Sequence, residues 1–145
     1  MGYATNQDIL DAVGQDTVRR LTDDQGSGVI DTSVLAGEID DAHEVVIAYV
    51  RGRYELPFDE TPRLLTMIET ALVVERLYRR RPSADTPGSV SDAAEKARRK
   101  LRRLSEGKLT LGLDSEGDGE EDGADSYRTT RTSEKETIRD KLQQF

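Results

Sequence analysis

A chain of 145 residues has room for one domain, and with 34% hydrophobic residues, 5% aromatics and no Trp it can bury only a modest core. The absence of Cys excludes disulfides, thiolate metal centres and a cysteine nucleophile. The net charge of −8 is segregated: residues 1–75 hold 15 acids against 5 bases, residues 76–108 hold 4 against 11, and residues 109–145 hold 10 against 5. Such segregation fits a chain that sets unlike faces against its neighbours, and equally fits three solvated faces. No stretch approaches the ~20 apolar residues of a membrane span. The opening MGYATNQDIL has neither a basic n-region nor an apolar h-region, so no signal peptide is expected, and Asn6 at the usual Ser/Thr position argues against myristoylation at Gly2.

Thr5 reads as an N-cap, with Ile9, Leu10 and Val13 on one apolar face and Gly14 as the stop. A second short helix over 16–21 carries Val18 and Leu21. Both pieces are too short to stand alone and must dock. Thr22 to Asp31 is turn chemistry. Asp31 then caps a longer helix whose Leu35, Ile39, Ala42, Val46 and Tyr49 form one stripe of a 3.6-residue period, ending near Gly52. Pro57 makes 53–58 extended. Thr61-Pro62 predicts a helix start with Thr61 as cap and Pro62 as the first helical residue. The helix over 61–78 has little polar face, which makes it the central element and gives it more apolar surface than a small lone domain hides easily. Arg79, Arg80 and Arg81 suit its C-terminus. After a Pro/Gly/Ser linker, a helix over 89–106 sets Val90, Ala93, Ala94, Ala97, Leu101 and Leu104 on one face and Lys96, Arg98, Arg99, Lys100, Arg102 and Arg103 on the other.

Residues 109–113, LTLGL, alternate apolar with small or polar residues and predict a short β-like segment. The acidic, Gly-rich stretch that follows has too few apolar groups to order itself and reads as a linker over 114–126. In the final part, 127–145, Ser133 and Glu136 form a capping box, and Ile138, Leu142 and Phe145 follow at i, i+4 and i+7. The expected architecture is therefore all-α: a bundle of about four to five helices over 1–113, the β-like segment at its end, the acidic linker, and an extended C-terminal arm with a short helix. Tyr127, Ile138, Leu142 and Phe145 are the arm's candidate partner-binding residues.

Few residues offer chemistry. Read as a calcium loop, the segment from Asp23 supplies Asp23, Gln25, Ser27, Gly28 and Asp31 at suitable positions, but its twelfth position is Val34 in place of the bidentate Glu. A helix–helix turn capped by Asp31 explains the same residues, so no metal is expected. His43 is the only histidine and is expected on the helix surface, and Asp40, Asp41 and Glu44 read as a solvated face. No Ser-His-Asp set, nucleophile elbow, phosphate loop or dinucleotide fingerprint is present, so no enzyme and no cofactor are expected. Lys96, Arg99, Lys100 and Arg103 could face nucleic-acid phosphates or an acidic partner. No aromatic interleaves them, and a pI near 4.8 argues against a dedicated nucleic-acid binder.

The order of these features resembles the head–tail connector, or adaptor, proteins of tailed phages, in particular the Mu-like prophage connector family. The resemblance lies in Tyr3-Ala4-Thr5 with Gln7-Asp8, in Leu21-Thr22-Asp23 running into Gly26-Ser27-Gly28-Val29-Ile30-Asp31, in Tyr49 with Gly52-Arg53-Tyr54-Glu55-Leu56-Pro57 and Pro62, and in Arg76-Leu77-Tyr78 with Gly107-Lys108-Leu109-Thr110-Leu111-Gly112. It covers roughly residues 3–113, and the acidic linker and final segment look like an addition. The resemblance implies a non-catalytic helical adaptor, made in the host cytoplasm and built into the virion at the head–tail junction. It implies a homo-oligomeric ring of about twelve copies, closed by head-to-tail contacts. Such a ring sits beneath the portal protein, extends the DNA channel and presents a platform to the next neck or tail component, with no membrane involved. Against this stand a calcium-modulated helical protein using 23–34 and a DNA-binding regulator using 96–103.

Overall fold

The computed structural model describes residues 2–113, which form five helices. Helix α1 (Asn6–Val13) opens with a capping box: the Asp8 N–H donates to Thr5 Oγ1, and the Thr5 N–H donates back to the Asp8 carboxylate at 2.7 Å. Gly14, at φ 84°, ends α1 and also stands at the N-cap of α2 (Gln15–Thr22), so one residue makes the corner between two short helices. Their buried apolar residues are Ile9, Val18 and Leu21, which dock on the rest of the bundle.

Helix α3 (Thr32–Val50) starts where Asp31 accepts from the Ser33 and Val34 N–H groups. Leu35, Ile39, Ala42 and Val46 are buried as their spacing predicts. The last place on the stripe goes to Val50, while Tyr49 is half-buried. Residues 51–62 follow as turns and bends and set Tyr54, Leu56 and Phe58 against the core.

Helix α4 (Arg63–Arg79) starts one residue later than expected. Pro62 is its N-cap, in extended conformation, and its carbonyl accepts from Leu65 and Thr66; Thr61 is exposed and lies too far back to cap. The helix is the hub of the fold, packed against α1, α2, α3 and α5. Leu65, Ile68, Leu72, Val73, Val74, Leu77 and Tyr78 are buried within a single chain. The expected surplus of apolar surface is thus mostly absorbed by the fold itself, and Met67 is the large apolar side chain of α4 left exposed, at 56%.

Helix α5 (Gly88–Ser105) lies on α4 through Ala94, Ala97, Leu101 and Leu104; the small residues at the first two positions permit close approach. Ala93, expected on the same face, is exposed. Gly107, at φ 73°, reverses the chain, and the Lys108 and Leu109 N–H groups donate to the Arg103 carbonyl. Those donors are therefore spent on the helix end. Residues 109–113 form no strand, because a strand needs a ladder partner and no strand exists among the described residues. The all-α expectation holds without its β-like segment. The linker 114–126 and the arm 127–145 lie outside the described residues.

Candidate interaction surfaces

The basic helix divides its charge between inside and outside. Arg98 turns inward and grips the buried Glu75 of α4 with both ends of its guanidinium; Nη1 donates to Oε1 at 3.3 Å and Nη2 to Oε2. Lys96, Arg99, Lys100 and Arg103 are all exposed and carry no ion pair among the described residues. Their spacing of i, i+3, i+4 and i+7 gathers them into one stripe along α5. Charge on this stripe is available to an outside partner, while Arg98 is committed to the fold.

Cations at the end of α4 are committed too. Arg80 donates to the Asp24 carboxylate at 2.7 and 3.0 Å and to the Leu21 carbonyl at 2.9 Å, and Arg81 donates to Asp24 at 2.9 Å. Arg76 pairs with Glu38 at 2.8 Å and with Asp41. These contacts tie the α2–α3 loop and α3 to the C-terminal end of α4. The Arg80 hydrogen bond holds the Asp24 carboxyl below its ordinary range, and the same bond raises Arg80. Of the acids expected as a solvated α3 face, Asp41 is therefore spent on Arg76, and Glu38 of the same helix pairs with Arg76 and Arg80.

In the 23–34 loop the ligand-like residues are used internally. Asp23 accepts from the Ser27 N–H at 2.8 Å, the Ser27 hydroxyl at 3.0 Å and the Gly28 N–H at 2.7 Å, and the backbone donors of Gly28 and Ser27 lower its pKa. Asp31 caps α3, and Gln25 is exposed. Among the described residues no group of three or more His, Cys, Asp or Glu is arranged to hold a metal.

His43 corrects the surface expectation. Its Nδ1 lies 3.1 Å from Oε2 of Glu69, which is fully buried, and its ring meets Tyr3 edge-on at 4.6 Å. The other Glu69 oxygen accepts the Ala4 N–H at 3.0 Å, and Thr66 Oγ1 donates to the Tyr3 carbonyl at 3.2 Å. Burial first, and the nearby Glu69 charge second, raise the Tyr3 phenol. This arrangement fastens the N-terminal segment to α4. Sequence reasoning passed over Glu69 and Glu75; the available signal was a pair of acids in an otherwise apolar helix, in a chain with one His.

An open groove of about 720 Å³ runs between α1, α4 and the first turns of α5. Val13, Met67, Ala71, Val74, Val90 and Ala93 line it, and Asp8 and Asp11 stand on its α1 wall. Its size and apolar lining are those of a binding surface. Sequence pattern alone did not mark it, because its residues come from three helices that each contribute an edge. The candidate arm residues Tyr127, Ile138, Leu142 and Phe145 lie outside the described residues.

Among known proteins, the family described as Bacteriophage Mu, Gp36 matches the chain over residues 3–129. The match runs past Leu113, where the resemblance read from the sequence stops, and takes in the acidic stretch. No curated protein matches the chain.

Proposed function

The chain belongs to the bacteriophage Mu Gp36 family, and from that premise we propose that it is a head–tail connector: a ring-forming adaptor between the portal and the neck or tail. The coarser statement, a virion-associated phage protein of structural or assembly type, follows from the family itself. The finer one is supported by the same membership, which is the observation that carries it, and by the way charge is spent. The α5 stripe has no ion pair among the described residues, on a chain whose first 75 residues are strongly acidic, so a head-to-tail contact between copies would join unlike faces. In this reading the subunit is not an enzyme and needs no cofactor. About twelve copies close the ring, DNA passes through it, and the C-terminal arm grips a neighbour or the portal.

The stripe also gives the DNA reading its one favourable observation, since Lys96, Arg99, Lys100 and Arg103 are presented together. The calcium reading loses support, because Asp23 and Asp31 already serve their own backbone. Light scattering and negative-stain imaging of the full chain, alone and in purified necks, test the connector. A ring with a central channel at the head–tail junction is the expected result. A chain that stays monomeric at high concentration and is absent from necks would sink the reading. Duplex DNA binding that survives moderate salt without ring formation would favour the regulator.

A further inference from the structure

We propose that the groove between α1, α4 and the start of α5 receives residues 133–145 of a second copy of this chain. The inference rests on the ring reading, since it names the surface by which one subunit's arm holds its neighbour.

Charge and shape argue for this occupant. In residues 133–145, Ile138, Leu142 and Phe145 fall on one side of a helical repeat. At 100° per residue Lys135 and Lys141 flank that stripe on either side, with Glu134 between Phe145 and Lys141, while Glu136 and Asp140 fall opposite it. The stripe is ~10 Å long at 1.5 Å per residue. The segment thus offers large apolar side chains bordered by two cations and one acid. The groove offers an apolar floor with Met67 exposed, an α1 wall carrying Asp8 and Asp11, and Arg63 at the start of α4. Unlike signs meet at the edge, and apolar groups meet at the centre.

Reach argues for a neighbour. Residues 114–132 separate the core from the segment and span up to roughly 65 Å when extended. In a head-to-tail ring each groove takes one arm and each subunit gives one, so the set closes with no groove left over.

The chain has no Cys, which makes the test clean. Met67→Cys with Leu142→Cys, in the full chain under mild oxidation, is expected to give a reducible ladder of covalent multimers. Ala36→Cys, an exposed position on α3, with Leu142→Cys serves as the control and is expected to give none. Separately, Met67→Glu is expected to weaken self-association at least tenfold in light scattering with helix content unchanged, and Leu142→Glu to do the same. A single cross-linked product that migrates as a monomer overturns the second-copy assignment. No product above the control, in a chain that light scattering still finds oligomeric, overturns the groove assignment and leaves the ring standing. A monomeric chain overturns the ring reading and this inference with it.

Discussion

Helices α4 and α5 differ by one residue in length, 17 against 18, and pack on each other, but they handle charge in opposite ways. Glu69, Glu75, Arg76 and, just beyond its end, Arg80 and Arg81 give α4 charges that are answered within the described fold, with Arg63 and Arg79 left exposed at its two ends. On α5 Arg98 is answered in that way, and Lys96, Arg99, Lys100 and Arg103 are exposed with no ion pair among the described residues. Identical residue types thus do two jobs. Where a cation closes on a buried acid, it fixes which helices are neighbours. Where it stands on an exposed stripe, it adds little to stability and is kept for what lies outside.

The sharpest way to break that contrast is to remove one charge from each side. Glu69→Ala leaves the Ala4 N–H and His43 without their partner, and is expected to cost about 1–3 kcal/mol in urea unfolding. Lys100→Ala should move stability by less than about 0.5 kcal/mol. Equal effects would mean that the α4 charges are no more structural than the α5 stripe. Next in size is the exit of α5. Gly107→Ala forces a side chain into the left-handed region and into contact with the Arg53 guanidinium. The conformational part is worth about 1–2 kcal/mol, read as a fall in urea midpoint at constant m-value.

A smaller effect follows from pH. The folded chain lowers Asp24 through Arg80, Asp23 through the Gly28 and Ser27 N–H groups, and Asp8 through Thr5. A lowered carboxyl contributes stability that is present above its unfolded pKa, roughly 4, and lost as pH falls through the folded value. Stability should therefore decline below about pH 4, and Asp24→Asn should make that acid limb shallower while leaving the α5 side untouched. A variant with an unchanged slope would remove Asp24 from the α4 network. Smallest in stability is the combined replacement of Lys96, Arg99, Lys100 and Arg103 by Gln. It should leave the unfolding free energy within about 0.5 kcal/mol of its starting value. The same variant should lose most of the salt dependence of assembly or DNA contact, measured by light scattering across ionic strength.

Local chemistry was well written in the sequence. Thr5 with Asp8 and Asp31 with Ser33 announce helix starts because a cap is decided within four residues. The α3 stripe and the buried character of α4 follow from periodicity, which reports a face. What periodicity does not report is the neighbour. Glu69 meets His43 across 26 positions and Glu75 meets Arg98 across 23, so neither pairing leaves a local trace. The same limit hid the groove, since Val13, Met67 and Val90 become one surface only after three helices have packed. Residues 109–113 misled in the other direction: alternation over a few residues suits a strand, but here the leading N–H groups close the end of α5. The start of α4 was read one residue early because Thr61 and Pro62 each qualify as a start, and the extended backbone at Pro62 decides between them.

The single-residue corner at Gly14 has a consequence in exchange kinetics. Helices α1 and α2 have eight residues each and are held mainly by their docking on α3 and α4. Short docked helices open before a central one, so their amides should exchange with deuterium earlier than those of α4. Helix α1 is also one wall of the apolar groove. Anything that settles in the groove must therefore slow exchange along Asn6–Val13 while leaving the already protected α4 little changed, which makes the least stable part of the bundle its most sensitive reporter of occupancy.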